Sequence, residues 1–288
     1  MSYKLLNEIL EEAKKEQKAF WEVILEENSM ESGVTKEESF QKMLQIYLAM
    51  KEADAHYEGD ARSSSGMAGG DGKRLEEFRK QKNRLIGDFL TKVMEKAVKM
   101  AESNACMKRI VAAPTAGSCG VIPAVLITYE EEKQVTPEKI VEALYVAGGI
   151  GEVLAESAAI SGAKGGCQAE IGSASAMAAG AITYLEGGDD EAIVHAAALA
   201  LKNMLGLTCD PVGGLVEVPC IKRNVSGAVN AIISSQMAIA GIRSRIPPDE
   251  VIDSMRRIGN LLPECLRETG KEGLATTPTA LRAQDRIS

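Results

Sequence analysis

From residue 143 to 205 the chain is written largely in alanine, glycine and serine, interleaved with leucine, isoleucine and methionine, and it carries few large rings. Side chains this small fill a core only when helices approach one another closely, so the stretch constrains the fold to packed helices. The whole chain is only 4% aromatic, which extends the same expectation to the rest of the interior. Convincing period-two alternation is absent beyond the short run Arg109-Ile110-Val111-Ala112-Ala113, so strands are not expected. The sequence predicts an all-α fold, one domain over residues 1–288, with an amphipathic helical part over 1–58 and a loop-rich core over 59–288.

Local signals agree. Leu5, Leu6, Ile9, Leu10, Phe20, Ile24 and Leu25 recur at helical spacing among Glu and Lys over residues 3–28, giving one apolar and one solvated face. Thr35 with Glu38 forms a capping-box pattern that opens a second helix through about Glu52. A third is expected from about Lys73 to Glu102. Later starts are marked at Thr136-Pro137-Glu138, Asp189-Asp190-Glu191 and Pro247-Pro248-Asp249-Glu250.

Charge excludes several functions. With 41 acidic and 33 basic residues the net charge is −8, and no basic run or aromatic-studded basic patch interrupts it. Nucleic acid and anionic membranes are therefore poor partners. The 19 uncharged residues from Asn224 to Ile242 approach the length of a membrane span, but their Asn, Ser and Gln content makes a buried core helix the expectation. The opening residues pass directly into a charged amphipathic stretch without a secretory pattern, which points to the cytoplasm. There, six cysteines are not a disulfide framework, and metal binding or catalysis becomes a natural use for those outside ordinary core positions.

Three of the six stand out. Cys167, Cys209 and Cys220 lie in Gly-Gly-Cys-Gln-Ala-Glu, Leu-Thr-Cys-Asp-Pro-Val-Gly-Gly and Val-Pro-Cys-Ile-Lys-Arg-Asn. Separations of 42 and 11 residues match neither a zinc ribbon nor a ferredoxin. On spacing alone they are buried structural cysteines or three ligands of a metallocluster with one position open. Glycine around Cys167 allows close backbone approach, while Pro211, Gly213, Gly214 and Pro219 bend the chain at the other two. Cys106 and Cys265 sit beside ordinary helical sequence and are assigned to packing.

Two further segments could carry chemistry. The loop Ser63-Ser64-Ser65-Gly66-Met67-Ala68-Gly69-Gly70-Asp71 precedes a helix and is either an anion-binding loop or a flexible linker. No Gly-Lys-Ser/Thr follows its glycines, so it is not a Walker loop. The turn Thr115-Ala116-Gly117-Ser118 feeds an apolar helix and could also hold an anion. Its neighbour Cys119 is either a fourth ligand or a small residue beside a substrate. The chain has only two histidines. His195 lies in an alanine-rich helix and reads as a packed or interface residue, and His56 reads as a surface one.

Taken together and in order, Ser-Ser-Ser-Gly-Met-Ala-Gly-Gly-Asp, Ala-Pro-Thr-Ala-Gly-Ser-Cys-Gly-Val-Ile-Pro, Gly-Gly-Cys-Gln-Ala-Glu-Ile-Gly-Ser-Ala, Thr-Cys-Asp-Pro-Val-Gly-Gly and Pro-Cys-Ile-Lys-Arg-Asn resemble the iron-sulfur-dependent bacterial L-serine dehydratases. The resemblance is to the α subunit of the two-subunit form and covers nearly the whole chain. It implies a 4Fe-4S cluster on Cys167, Cys209 and Cys220, and conversion of L-serine to pyruvate and ammonia in serine catabolism, a route toward gluconeogenesis. It further implies substrate contacts from Ser63, Ser64, Ser65, Gly66, Gly69, Gly70 and Asp71 and from Thr115, Ala116, Gly117 and Ser118. Lys164, Glu170 and Asn224 would support the cluster from behind its ligands.

One departure shapes the expectation of a partner. Single-chain relatives carry an additional domain thought to supply a histidine base, and this chain has no histidine inside any matched motif. The resemblance thus implies a β subunit that supplies the unidentified base, in a heterodimer or a dimer of heterodimers. Some relatives end in a cysteine that can occupy the open iron; this chain ends Gln284-Asp285-Arg286-Ile287-Ser288, so that self-inhibition is not expected. The competing readings are a related iron-sulfur L-cysteine desulfidase and a non-catalytic helical subunit that senses iron or oxygen. A pyridoxal-phosphate dehydratase is disfavoured, because its lysine, phosphate loop and alternating strands and helices do not appear.

Overall fold

The computed structural model describes residues 3–81 and 85–285; Arg286 to Ser288, part of the C-terminal reading above, lie outside the described residues. Thirteen α-helices and no strand form among the described residues, in agreement with the all-α expectation. Short helical turns and one isolated bridge, between Cys209 and Arg267, complete the backbone.

The N-terminal amphipathic stretch is two helices, α1 (Leu6–Glu16) and α2 (Phe20–Ser32), and not one. Gln17 takes a left-handed conformation and breaks them, so that Leu6, Ile9 and Ala13 of α1 and Phe20, Val23 and Ile24 of α2 can each turn inward. Helix α3 (Lys36–Ala55) opens with the expected capping box: Thr35 Oγ1 accepts from the Glu38 N–H, and the Glu38 carboxylate accepts from the Thr35 N–H. The long helix expected over 73–102 is replaced by α4 (Asp71–Arg79) and α5 (Asp88–Ala105). Gly87, extended at φ −66° and ψ 168°, starts the second of these afresh.

Helices α6 (Val121–Lys133), α7 (Pro137–Ser157), α9 (Ser173–Leu185), α10 (Asp190–Lys202) and α11 (Cys220–Ile239) build the centre. Thr136 caps α7 through the Lys139 N–H, and Asp189 caps α10 through the Ala192 N–H, as their sequences foretold. The middle is α9, which packs on α6, α7, α10 and α11 and buries every residue from Ser173 to Thr183. Small side chains make this approach possible. A Cβ added at Gly180 would lie 2.2 Å from Ile150 Cδ1 of α7, so that crossing tolerates only glycine without repacking. Around it, Ile140, Leu144, Ile150 and Leu154 of α7 are buried, each contributing about 1.5–3 kcal/mol by leaving water.

The same closeness buries polar groups, and these are paired. Asn230 donates to Ser175 Oγ and to the Ala200 carbonyl, Ser175 donates to the Gly227 carbonyl, and Thr183 donates to Ser235. These bonds pin α9, α10 and α11 in register. The uncharged stretch at 224–242 is only partly the buried core helix expected: α11 buries one face, but Ile233, Gln236 and Ile239 are exposed, and residues 240–242 follow the helix, exposed as well; no helix among the described residues is long and apolar enough to cross a membrane. Helices α8 (Gly162–Gly165), α12 (Pro248–Leu261) and α13 (Pro278–Gln284) lie beside the loops that follow α7 and α10.

Candidate active site

Between α7 and α9 the chain abandons regular α geometry. The short α8 ends at Gly166, whose φ of 76° turns the chain, and a wide π turn over Gln168–Gly172 leads into α9. Single π turns recur where a helix must re-aim a side chain. Here the segment presents Cys167, 2% exposed, and Glu170 toward two other loops. One brings Cys209, also 2% exposed, held by paired backbone bonds with 266–268: the Cys209 N–H donates to Leu266, and the Glu268 N–H donates to Cys209. The other brings Cys220, 7% exposed, as the first residue of α11.

The three thiols lie close enough to influence one another's ionisation. Burial pushes Cys167 up from an ordinary 9.0 to about 11 and Cys220 to about 12, and it raises Cys209 as well. The positive charge of Arg223, one helical turn after Cys220, opposes this at Cys167. The Arg223 guanidinium donates to the Thr208 carbonyl at 2.7 Å and to Asp210 at 3.0 Å. Burial works against the Arg223 charge, but Cys167 and Asp210 outweigh it and raise its pKa.

Glu170 ties the cysteines to the turn at 115–118. Its Oε1 accepts from Thr115 Oγ1 at 2.8 Å, and its Oε2 lies 3.9 Å from Cys209 Sγ. Burial, the larger influence, raises the Glu170 pKa. Asn224, fully buried, donates to the carbonyls of Gly117 and Cys220 and accepts from the Gly120 N–H at 2.8 Å. One amide side chain thereby fixes the turn against the start of α11. Gly162 closes the other side, because a Cβ there would sit 2.8 Å from both Cys209 Sγ and Glu170 Oε2.

The serine loop reaches α11 by different contacts. Ser63 and Ser65 donate to Glu217 Oε2 at 3.0 and 2.5 Å, while Ser64 is exposed. Gly66, Gly69 and Gly70 take positive φ, which explains the glycine content of the loop. Asp71 bonds Lys222 at 2.5 Å, the main cause of its lowered pKa, and Arg74 at 2.7 Å. The Asp71 and Gly72 N–H groups are held by the buried Glu102.

Other residues singled out in the sequence stand elsewhere. Lys164 is exposed and lines a cavity of about 220 Å³ with Gln168, Arg256 and Arg267, whose lining includes none of the three cysteines. Cys119 is not gathered with them: it packs with Ala53 and Met100, donates to the Met100 carbonyl, and has its pKa raised by burial to about 12. Cys106 and Cys265 are half-buried, at a helix end and in a turn, and not core residues. His56 ends α3 with Nδ1 on the Glu52 carbonyl, and His195 accepts from the Ser244 N–H. Arg223, Asp210 and Glu217 were not singled out, although Arg223 follows Cys220 by three residues on one helical face and Asp210 adjoins Cys209.

The family model for the serine dehydratase alpha chain matches residues 7–275. A probable L-serine dehydratase alpha chain of Bacillus subtilis is 45% identical over 285 residues, covering 99% of this chain and 95% of that one. The L-serine dehydratase alpha chain of Peptoniphilus asaccharolyticus is 43% identical over 262 residues, 90% of this chain and 89% of its own. The L-serine dehydratase TdcG of Escherichia coli is longer: 181 residues at 42% identity span 62% of this chain but 40% of that protein. Full-length matches to separately named alpha chains, across both helical core and loops, show that the chain belongs to the serine dehydratase alpha chain family, in its two-chain bacterial form.

Proposed function

We propose that this chain is the catalytic α subunit of an L-serine dehydratase that converts L-serine to pyruvate and ammonia, with a 4Fe-4S cluster held by Cys167, Cys209 and Cys220. The observation that carries the proposal is the burial together of these three cysteines, drawn from three separate loops, in a chain similar over its full length to proteins named for that activity.

The donor set fits a cluster. Three buried thiols that resist ionisation need a strong local cation to exist as thiolates. Four thiolates at about 2.3 Å from one zinc lie only about 3.8 Å apart. Among the described residues, the only three ligand atoms within 4.8 Å of one another belong to Glu27, Glu31 and Glu152, so the cysteine sulfurs span more than a single-ion site. When bound, the cluster supplies a Lewis-acid iron that makes the serine hydroxyl a better leaving group.

The chain's own residues do the rest. Arg223 balances thiolate charge at Cys167, and Glu170 holds the Thr115 hydroxyl toward the cysteines. The turn Thr115 to Ser118 receives the substrate carboxylate, and the loop Ser63 to Asp71 shapes the place of the amine. Loss of the α-proton and the β-hydroxide, together one water, leaves aminoacrylate, which tautomerises to the imine and takes up water to give pyruvate and ammonia. Neither histidine bonds to any of these groups, so we assign α-proton removal to a residue of a β chain. Six free cysteines are what a reducing compartment preserves, which supports a cytoplasmic assembly as part of this reading.

The test is anaerobic co-purification with the β chain, followed by assays of pyruvate from L-serine and sulfide from L-cysteine. β-dependent pyruvate is expected. Sulfide as the dominant product would replace the reading with a desulfidase, and a bound cluster without turnover would replace it with a sensor subunit.

A further inference from the structure

Glu217 is 4% exposed and lies three residues before Cys220, in the turn that starts α11, where its carbonyl accepts from the Ile221 N–H. Its Oε2 is the shared acceptor for Ser63 and Ser65. Those hydroxyls also accept, Ser63 from the Ala68 N–H and Ser65 from the Met67 N–H, and they lie 3.1 Å from each other. Each serine has one hydroxyl proton. Both protons are used within the unit formed by the loop and Glu217, so neither is free to donate to a ligand.

The other carboxylate oxygen is different. No described residue donates a hydrogen bond to Glu217 Oε1, and no described lysine, arginine or histidine forms an ion pair with this carboxylate. Oε1 is open to solvent, so a carboxylate held this deep, with one oxygen free and no cation beside it, can take a cation that arrives with a ligand. The other acidic groups around the cysteines are already engaged or open to water. Glu170 gives one oxygen to Thr115 and turns the other to Cys209; Asp210 takes Arg223 and the Leu274 N–H; Glu268 is exposed.

We propose that Glu217 Oε1 receives the α-ammonium group of the substrate, making Glu217 the residue that selects amino acids over hydroxy acids. The inference rests on the L-serine reading above and deepens it. The serine loop then shapes the site by fixing Glu217 and not by offering its own hydroxyls. Lys222, paired with Asp71, holds the far end of the same loop on α11.

The experiment uses the α chain assembled with its β partner and loaded with iron and sulfide, comparing wild type with Glu217→Gln. Glutamine keeps an oxygen for the serine hydroxyls and removes the charge. The KM for L-serine is expected to rise about tenfold or more while kcat stays within about threefold. Inhibition by L-alanine, which carries the ammonium, should weaken in the same proportion, and inhibition by L-lactate, which lacks it, should not. A second variant, Ser63→Ala with Ser65→Ala, breaks the anchor but keeps the charge and should preserve the preference for L-alanine over L-lactate. An unchanged KM in Glu217→Gln, or equal weakening of both inhibitors, overturns the inference. Failure of the wild-type assembly to form pyruvate instead overturns the underlying function, so the two failures are distinguishable.

Discussion

The bundle around α9 and the loop cluster at the start of α11 are both buried, yet different forces hold them. The bundle is small-residue packing: Ala, Gly and Ser of α9 against Ile and Leu of α7, with a few paired polar groups as pins. The loop cluster is irregular backbone whose buried Asp210, Glu217 and Asn224 and half-buried Glu170 and Arg223 are cross-linked by hydrogen bonds. Packing energy is spread over many contacts and tolerates local damage. A polar network concentrates its energy in a few groups, and losing one leaves its partners unsatisfied. The bundle is thus the rigid frame, and the cluster is where single substitutions change chemistry.

The largest expected effect falls on the cluster alone. Cys209→Ala removes one of the three gathered thiols, and both iron-sulfur absorbance and pyruvate formation are expected to fall to background, with helical circular dichroism kept. Wild-type-like activity in that variant would sink the ligand assignment. Next comes Asn224→Ala, which orphans the Gly117 carbonyl and the Gly120 N–H. It should cost about 2–4 kcal/mol in denaturant unfolding and lower activity by about tenfold or more through a misplaced turn.

The bundle answers differently. Gly180→Val forces a side chain into Ile150 and should cost about 1–3 kcal/mol, read as a lower thermal midpoint. KM and iron content per folded chain should not move; a change in KM would show that the frame and the site are coupled more tightly than described. The smallest effect concerns Cys119, a thiol packed in apolar surroundings. Its pKa is raised in the fold from 9.0 to about 12, so the folded chain holds that proton more tightly than the unfolded one. Its contribution to stability is full below pH 9.0 and declines as pH rises toward about 12. Cys119→Ala should flatten that alkaline decline while leaving iron content intact; loss of iron would return Cys119 to the ligand set.

Helix existence was readable because periodicity, Thr35, Thr136 and Asp189 are local signals. The break at Gln17 was not, since a left-handed glutamine leaves no compositional mark and the apolar spacing runs through it. Likewise the interruption before Asp88 lies in a stretch of ordinary helix formers, apart from Gly87. At the site, the glycine and proline around the cysteines are visible in the sequence, and so are the cysteines themselves. The role of Glu217 was not, because its partners Ser63 and Ser65 lie more than 150 residues away. Arg223 was obscured for a similar reason: its contacts to Cys167 and Asp210 depend on loops that only the fold brings together.

The most direct test of the central claim is iron and acid-labile sulfide quantitation after anaerobic reconstitution of the wild-type α chain and Cys209→Ala in parallel. About four irons and a matching sulfide content per wild-type chain are expected, with neither retained by the variant. A wild-type chain that keeps no iron, or a variant that keeps as much, would contradict the claim and return Cys167, Cys209 and Cys220 to the role of buried packing residues.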